Sequence, residues 1–187
     1  MTMKKLFLMV IAVILGVVAA TAQDEKPRKF TKQERKALRE RIDSLKYAQA
    51  EGSIMDSMFV LEADEVVFKR GYTAHVTSNT NFVAVEGDQA VVQVAFNVPW
   101  SGFNGLGGIT VEGLVSKYET RKDKRGNLYL DMGVNGRGIS AQVSITLLAG
   151  SNRATITILP NFHSGWLTLN GVIVPEEEST VFKGTTL

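Results

Sequence analysis

Hydrophobic positions along the chain fall into three regimes. From Leu6 to Ala20 the residues are apolar without a break. Between Thr31 and Gly52 apolar residues are sparse and helically spaced. Leu38, Ile42 and Leu45 stand at i, i+4 and i+7 among Lys, Arg and Glu, which predicts an amphipathic helix over 31–52. Thr31 and Glu34 have the spacing of a capping box at its start, and Gly52 is the expected stop. From Phe59 onward the period falls to two.

That period recurs in separate runs. Val92, Val94, Phe96 and Val98 oppose Gln93 and Asn97. Leu128, Leu130, Met132 and Val134 alternate with Tyr129, Asp131 and Gly133. Ile139 to Leu147 and Ala154 to Ile158 repeat the pattern with Ser, Thr and Gln between. Each run predicts a strand with one buried and one wetted face, as in antiparallel sheets. The breaks are short and tolerate positive φ: Gly87-Asp88, Arg125-Gly126-Asn127, Gly136-Arg137-Gly138 and Gly150-Ser151-Asn152. Strands joined this way are neighbours, so 82–170 reads as an antiparallel meander. About eight to ten strands without intervening helices predict a mainly β fold closing into a barrel or a sandwich, with one N-terminal amphipathic helix.

The first regime has the build of a secretory signal over residues 1–22. Lys4 and Lys5 precede the apolar run, and Ala20-Thr21-Ala22 is a small-x-small cleavage site. The run is 15 residues long, short of the roughly 20 a spanning helix needs. Cleavage would leave Gln23 first, where a bacterial lipoprotein would carry cysteine. The expected organisation is therefore a signal at 1–22, a polar leader at 23–30, the charged helix at 31–52 and a β-rich domain at 53–187. The expected location is the periplasm or outside the cell, not as a lipoprotein, with no transmembrane segment after cleavage.

Composition sharpens this picture at two points. Of 21 Lys+Arg and 19 Asp+Glu, two lysines leave with the signal and no acid does. The mature chain is then formally neutral, and a general attraction to nucleic acid loses its basis. There is no cysteine, so an exported domain must rely on its core instead of disulfides.

The layout resembles a family known only as a domain of unknown function, number four-two-five-one, found in exported proteins of Gram-negative gut commensals. The residues that carry the resemblance follow the signal and charged helix: Phe59-Val60-Leu61-Glu62-Ala63-Asp64, then Gly102 to Gly107-Gly108-Ile109-Thr110. Gly150-Ser151-Asn152-Arg153, Pro160-Asn161-Phe162 and Ser179-Thr180-Val181-Phe182-Lys183-Gly184 continue it. The resemblance implies export and a single β domain. It brings no activity, cofactor or catalytic residue.

Candidate chemistry is thin. Only His75 and His163 offer an imidazole. Ser164 beside His163 lacks the Gly-x-Ser-x-Gly elbow, and sequence neighbours on a strand or turn usually point apart. Neither histidine has metal-ligand spacing, and no carboxylate-rich calcium loop exists, so no metal and no cofactor are expected. Gly136-Arg137-Gly138-Ile139-Ser140-Ala141 matches a dinucleotide fingerprint in letters, but a strand pattern follows where that chemistry needs a helix N-terminus. Glu112, Glu119 and Asp131 are the acids a fold could pair for glycoside hydrolysis. Residues 24–46 hold nine bases and five acids, a pattern that fits a solvated helix face with i,i+4 pairs. Arg121-Lys122-Asp123-Lys124-Arg125 fits a solubilised hairpin tip.

The richest segment is Pro99 to Gly108, a glycine-rich loop with Trp100, Phe103 and Leu106. It is read either as an apolar lip for a ligand or as a loop plugging one end of the fold. Trp100, Phe103, Asn104 and Trp166 are the expected ligand-binding residues, with no catalytic residue assigned. The expected function is a non-catalytic binding or structural module of the periplasm or cell envelope. Its partners would be a glycan, a lipid or an envelope protein. The alternatives are a polysaccharide hydrolase using a carboxylate pair and a protein–protein or inhibitor-like module.

Overall fold

A sheet that is apolar on one side only must bury that side, and a long meander can do so by curling onto itself. The computed structural model describes residues 30–67, 71–95, 109–137, 140–161 and 166–181. One helix, α1 (Lys32–Met55), precedes β1 (Met58–Val67), β2 (Thr73–His75), β3 (Phe82–Glu86), β4 (Gln89–Val94) and β5 (Ile109–Lys122). The chain continues through β6 (Leu128–Gly136), β7 (Ser140–Leu147), β8 (Arg153–Pro160) and β9 (Leu167–Pro175). β3 to β9 pair in chain order, and β1 pairs with β3 on one side and β9 on the other. Eight antiparallel strands therefore close a barrel. β2 is a short addition to β1 at Glu65–Val67. Of the two expected closures, the barrel is the one formed.

Eight strands enclose a space that side chains can fill or that one small ligand can occupy. Here side chains fill it. Leu130, Ile145, Ile156, Leu169 and Val66 hold matched positions across β6, β7, β8, β9 and β1. None of the five is more than 1% exposed. Phe59, Leu61, Val83 and Val85 extend the same cluster. Each such side chain contributes about 1.5–3 kcal/mol by leaving water.

Two bulges change the phase of the alternation. In β1 the register shifts between Ala63 and Glu65, so the inward series Phe59, Leu61, Ala63 resumes at Val66. In β5 it shifts between Ser116 and Glu119, where Lys117 adopts φ 52. A strict period of two from Val111 and Val115 would turn Lys117 and Glu119 inward. The extra residue instead places Tyr118 against the core and Glu119 outside.

The chain divides into two compact units, Met1–Leu38 and Arg39–Leu187. In the first, the capping box forms as expected. The Glu34 N–H donates to Thr31 Oγ1 at 3.2 Å, and the Thr31 N–H donates to Glu34 Oε2 at 2.8 Å. In the second, α1 runs three residues past the expected stop at Gly52. Ile54 beyond it is buried to 1% exposure, and its burial holds the last turn. The chain leaves the helix through Ser57 at φ 56.

The expected apolar face is also corrected. Leu38, Ile42 and Leu45 are 48%, 42% and 61% exposed. The residues that pack on the core are Tyr47, Ala50 and Ile54. The Tyr47 hydroxyl donates to the Gly126 carbonyl and the Tyr118 hydroxyl to the Ile54 carbonyl. Lys122 pairs with Glu51, and Gln49 Nε2 donates to Glu178 Oε1 at 2.7 Å. The final turns of α1 thus plug the barrel end at which β5 turns into β6.

A second correction concerns Gln93, expected on a wetted face. It is fully buried, donating from Nε2 to the Thr80 carbonyl at 3.1 Å while its Oε1 accepts from Thr110 Oγ1 at 3.0 Å. The loop before β3 folds over this outer face, with Asn81 Oδ1 accepting from the Ala95 N–H at 2.9 Å. The strand forms as its alternation predicts, but its outward side is covered here. The expected signal at 1–22, the polar leader up to residue 29, the whole glycine-rich loop Pro99 to Gly108 with Trp100, Phe103 and Asn104, and Phe162, His163 and Ser164 lie outside the described residues.

Candidate binding groove on the outer barrel face

The bulge in β5 has a consequence on the outside of the barrel. Ser116 pairs with Gly133 and Glu119 with Asp131, so all four face outward with one extra residue of β5 between the pairs. Gly133 continues through Gln142 on β7 to Leu159 on β8. With no side chain on Gly133, the middle of this row is left low. A Cβ added there would lie 2.7 Å from Ser116 Oγ. The result is a groove of about 550 Å³ across β5–β8, within the usual range of small-molecule sites, roughly 300–1,000 Å³.

Hydroxyl, amide and carboxylate groups line it: Ser116, Glu119, Asp131, Asn135, Ser140, Gln142, Ser144 and Asn161, with Lys117 at the bulge. Several are held in place by their neighbours. Ser144 Oγ donates to Asp131 Oδ1 at 2.6 Å, and Asn135 Nδ2 donates to Ser116 Oγ at 2.9 Å. Asn161 Oδ1 accepts the Ser140 N–H at 3.0 Å. These bonds fix polar rotamers before any ligand arrives, which lowers the ordering cost of binding.

A second hollow of about 650 Å³ lies against β4–β6, lined by Gln89, Glu112, Leu114, Arg137 and again Asn135. Gly113 is obligatory at its base, because a Cβ there would stand 2.2 Å from the Asn135 carbonyl oxygen.

Of the residues expected to bind ligand, Trp166 is described. Ile158 pairs with Leu167, so Trp166 immediately precedes β9 on the strand next to β8, outside the groove lining, whose nearest β8 residue in register is Leu159. It is 49% exposed, with much of its indole open to water. Glu119 and Asp131 are brought together as direct cross-strand partners, whereas Glu112 lines the second hollow. His75 ends β2, exposed and outside both linings. β7 follows Gly136-Arg137-Gly138, so a hairpin stands where a dinucleotide site would need a helix. Among the described residues no three His, Cys, Asp or Glu side chains are grouped to hold a metal ion. No described helix is long and apolar enough to cross a membrane.

In the sequence alone, the groove's polar residues read as ordinary wetted faces. Two signals pointed to more. The alternation slips between Val115 and Tyr118, and a glycine occupies the outward phase of β6 at Gly133.

The fold and groove define a closed eight-stranded antiparallel barrel whose described inward side chains pack into one core, with a furrow of mixed polar and apolar lining outside. The chain belongs to the DUF4251 family, a domain of unknown function, whose model matches residues 42–173. That span contains every groove residue. The chain is similar to a DUF4251 family protein of known crystal structure from Bacteroides eggerthii DSM 20697. The two share 48% identity over 75% of this chain and 94% of that one, with a TM-score of 0.67. No curated protein matches the chain.

Proposed function

We propose that this chain is an exported, non-catalytic binding module of the cell envelope, recognising its ligand on the outer face of β5–β8. The observation that carries the reading is the contrast between the two faces of one sheet. The inner face is consumed by its own core, while the outer face holds a preorganised polar groove. Glu119 and Asp131 stand side by side on that face. Glycoside hydrolysis needs two carboxyl groups on opposite sides of the scissile bond. On one floor they serve as paired acceptors for ligand hydroxyls or amides. Export rests on Lys4, Lys5, the apolar run to Ala20 and the Ala20-Thr21-Ala22 site.

Two measurements test the reading. Expressed in a Gram-negative host, the chain is expected in the periplasm or medium with an intact mass that begins at Gln23. Retention of the uncleaved leader defeats the export part. The mature chain on a resin is expected to retain material from its native envelope, and the double variant Asp131→Ala/Gln142→Ala to lose it. Equal retention by both chains moves the site elsewhere.

A further inference from the structure

We infer that the groove takes an uncharged oligosaccharide, laid across the strands from Trp166 next to β8 to the hollow at β4–β6. The inference rests on the binding role proposed above and names the ligand class for the same site.

Elimination by chemistry supports the class. A phosphate or sulfate would meet Glu119 and Asp131 against Lys117 alone in the main groove, an unfavourable balance. A fatty or aromatic ligand could cover Leu159 and Pro160 but would strip water from the Glu119 and Asp131 carboxylates and the amides beside them, which it cannot pair. An extended peptide gains most of its affinity by adding a strand to an open sheet edge. β5, β6, β7 and β8 are each paired on both sides, so no edge is open here. A sugar hydroxyl both donates and accepts, and the groove offers both functions: Asp131, held by Ser144, as acceptor, and Asn135, held on Ser116, with Gln142 and Lys117 as donors.

Trp166 would add an aromatic face to a groove whose lining already joins polar groups to apolar Leu159 and Pro160. The faces of a sugar ring that carry C–H groups are apolar, and a half-exposed indole is a flat apolar surface with a polar edge. Next to β8 and 49% exposed, it is placed to extend the groove beyond Leu159 as a stacking surface for a sugar ring.

Shape gives the length. The two hollows adjoin at Asn135, so a ligand long enough to pass over that side chain would reach both. From β4 to β8 there are four inter-strand steps of about 4.8 Å, or roughly 19 Å. That is a chain of several sugars, too long for a monosaccharide to exploit. Affinity therefore climbs with oligomer length until the furrow is full.

The test is titration of the intact mature chain with defined probes: neutral gluco-, xylo- and manno-oligosaccharides of increasing length, their monosaccharides, polygalacturonate and a mixed-sequence peptide. Backbone amide shifts are followed by NMR. The expected result is that one neutral series binds, more tightly as it lengthens, with shifts clustered at Gly133, Asn135, Gln142 and Ser144. Trp166→Ala and Gln142→Ala each weaken it about tenfold, the equivalent of about 1.4 kcal/mol. Both positions are partly or fully exposed, and the shift map of the unaltered chain stands without them. The inference is overturned if polygalacturonate or peptide binds the groove in preference, if no neutral series shifts these amides, or if affinity is indifferent to length. Groove-dependent retention of envelope material alongside any of these results leaves the binding role standing and removes only the glycan.

Discussion

Gly171 of β9 lies so close to β1 that a Cβ there would stand 2.1 Å from the Glu62 carbonyl oxygen and 2.8 Å from Ala63 Cα. Both neighbours are backbone, next to the β1 bulge, and cannot rotate away. Gly171→Ala must push apart the two strands that close the barrel, and overpacking of this kind costs about 1–3 kcal/mol. Gly52 is the opposite case. It sits inside α1, and a Cβ there would meet nothing within 4 Å. Gly52→Ala removes backbone freedom from the unfolded chain and stabilises by about 0.5–1 kcal/mol. Urea denaturation of the two variants should move the midpoint in opposite directions. Equal shifts would mean that the β1–β9 approach is looser than described. The same residue type carries two opposite meanings, and only the neighbours across the sheet tell them apart.

At the scale of elements, the latch between α1 and β5 is the feature most open to titration. Burial pushes the Tyr118 hydroxyl above its ordinary value, against a smaller opposing hydrogen bond with Ser57. The unfolded hydroxyl titrates near about 10. The neutral form is the one favoured in the folded state. Its contribution is therefore complete below that pH and is lost as pH rises through the higher folded value. Tyr118→Phe should cost about 0.5–1.5 kcal/mol near neutral pH through the lost bond to the Ile54 carbonyl. The gap between wild type and variant should then narrow above about pH 10, read by denaturation at paired pH values. A gap that stays constant would place the hydroxyl in water. This latch also marks the limit of what periodicity shows. Leu38, Ile42 and Leu45 formed the visible apolar stripe, yet they are exposed, while Tyr47, Ala50 and Ile54 do the packing. Spacing fixes which residues share a helical face but not which face meets a partner. The strands were legible because each inward series, such as Ile145 and Leu147 against Ser144 and Thr146, is set by a local rule. The groove was not. It depends on the phase slip at Lys117 and on Ser116, Gly133 and Gln142 aligning across three strands, which is a property of register.

For the molecule as a whole, the decisive property is that the described inward side chains fill the barrel. Were its lumen a cup, ligand binding would be sought inside, and the outer groove would be incidental. Phe59 is fully buried in the core cluster. Phe59→Ala should cost about 3–5 kcal/mol, a large part of the roughly 5–15 kcal/mol that holds a domain folded. The space it leaves is lined by apolar side chains such as Leu61 and Val85, and apolar cavities of this kind stay dry and accept benzene. Adding benzene should therefore raise the melting temperature of the variant and leave wild type unmoved, because a ligand stabilises only a state that has room for it. A wild-type chain stabilised by benzene would show space inside the barrel already. The contrast between a filled inner face and a receptive outer one, from which the binding role follows, would then be lost.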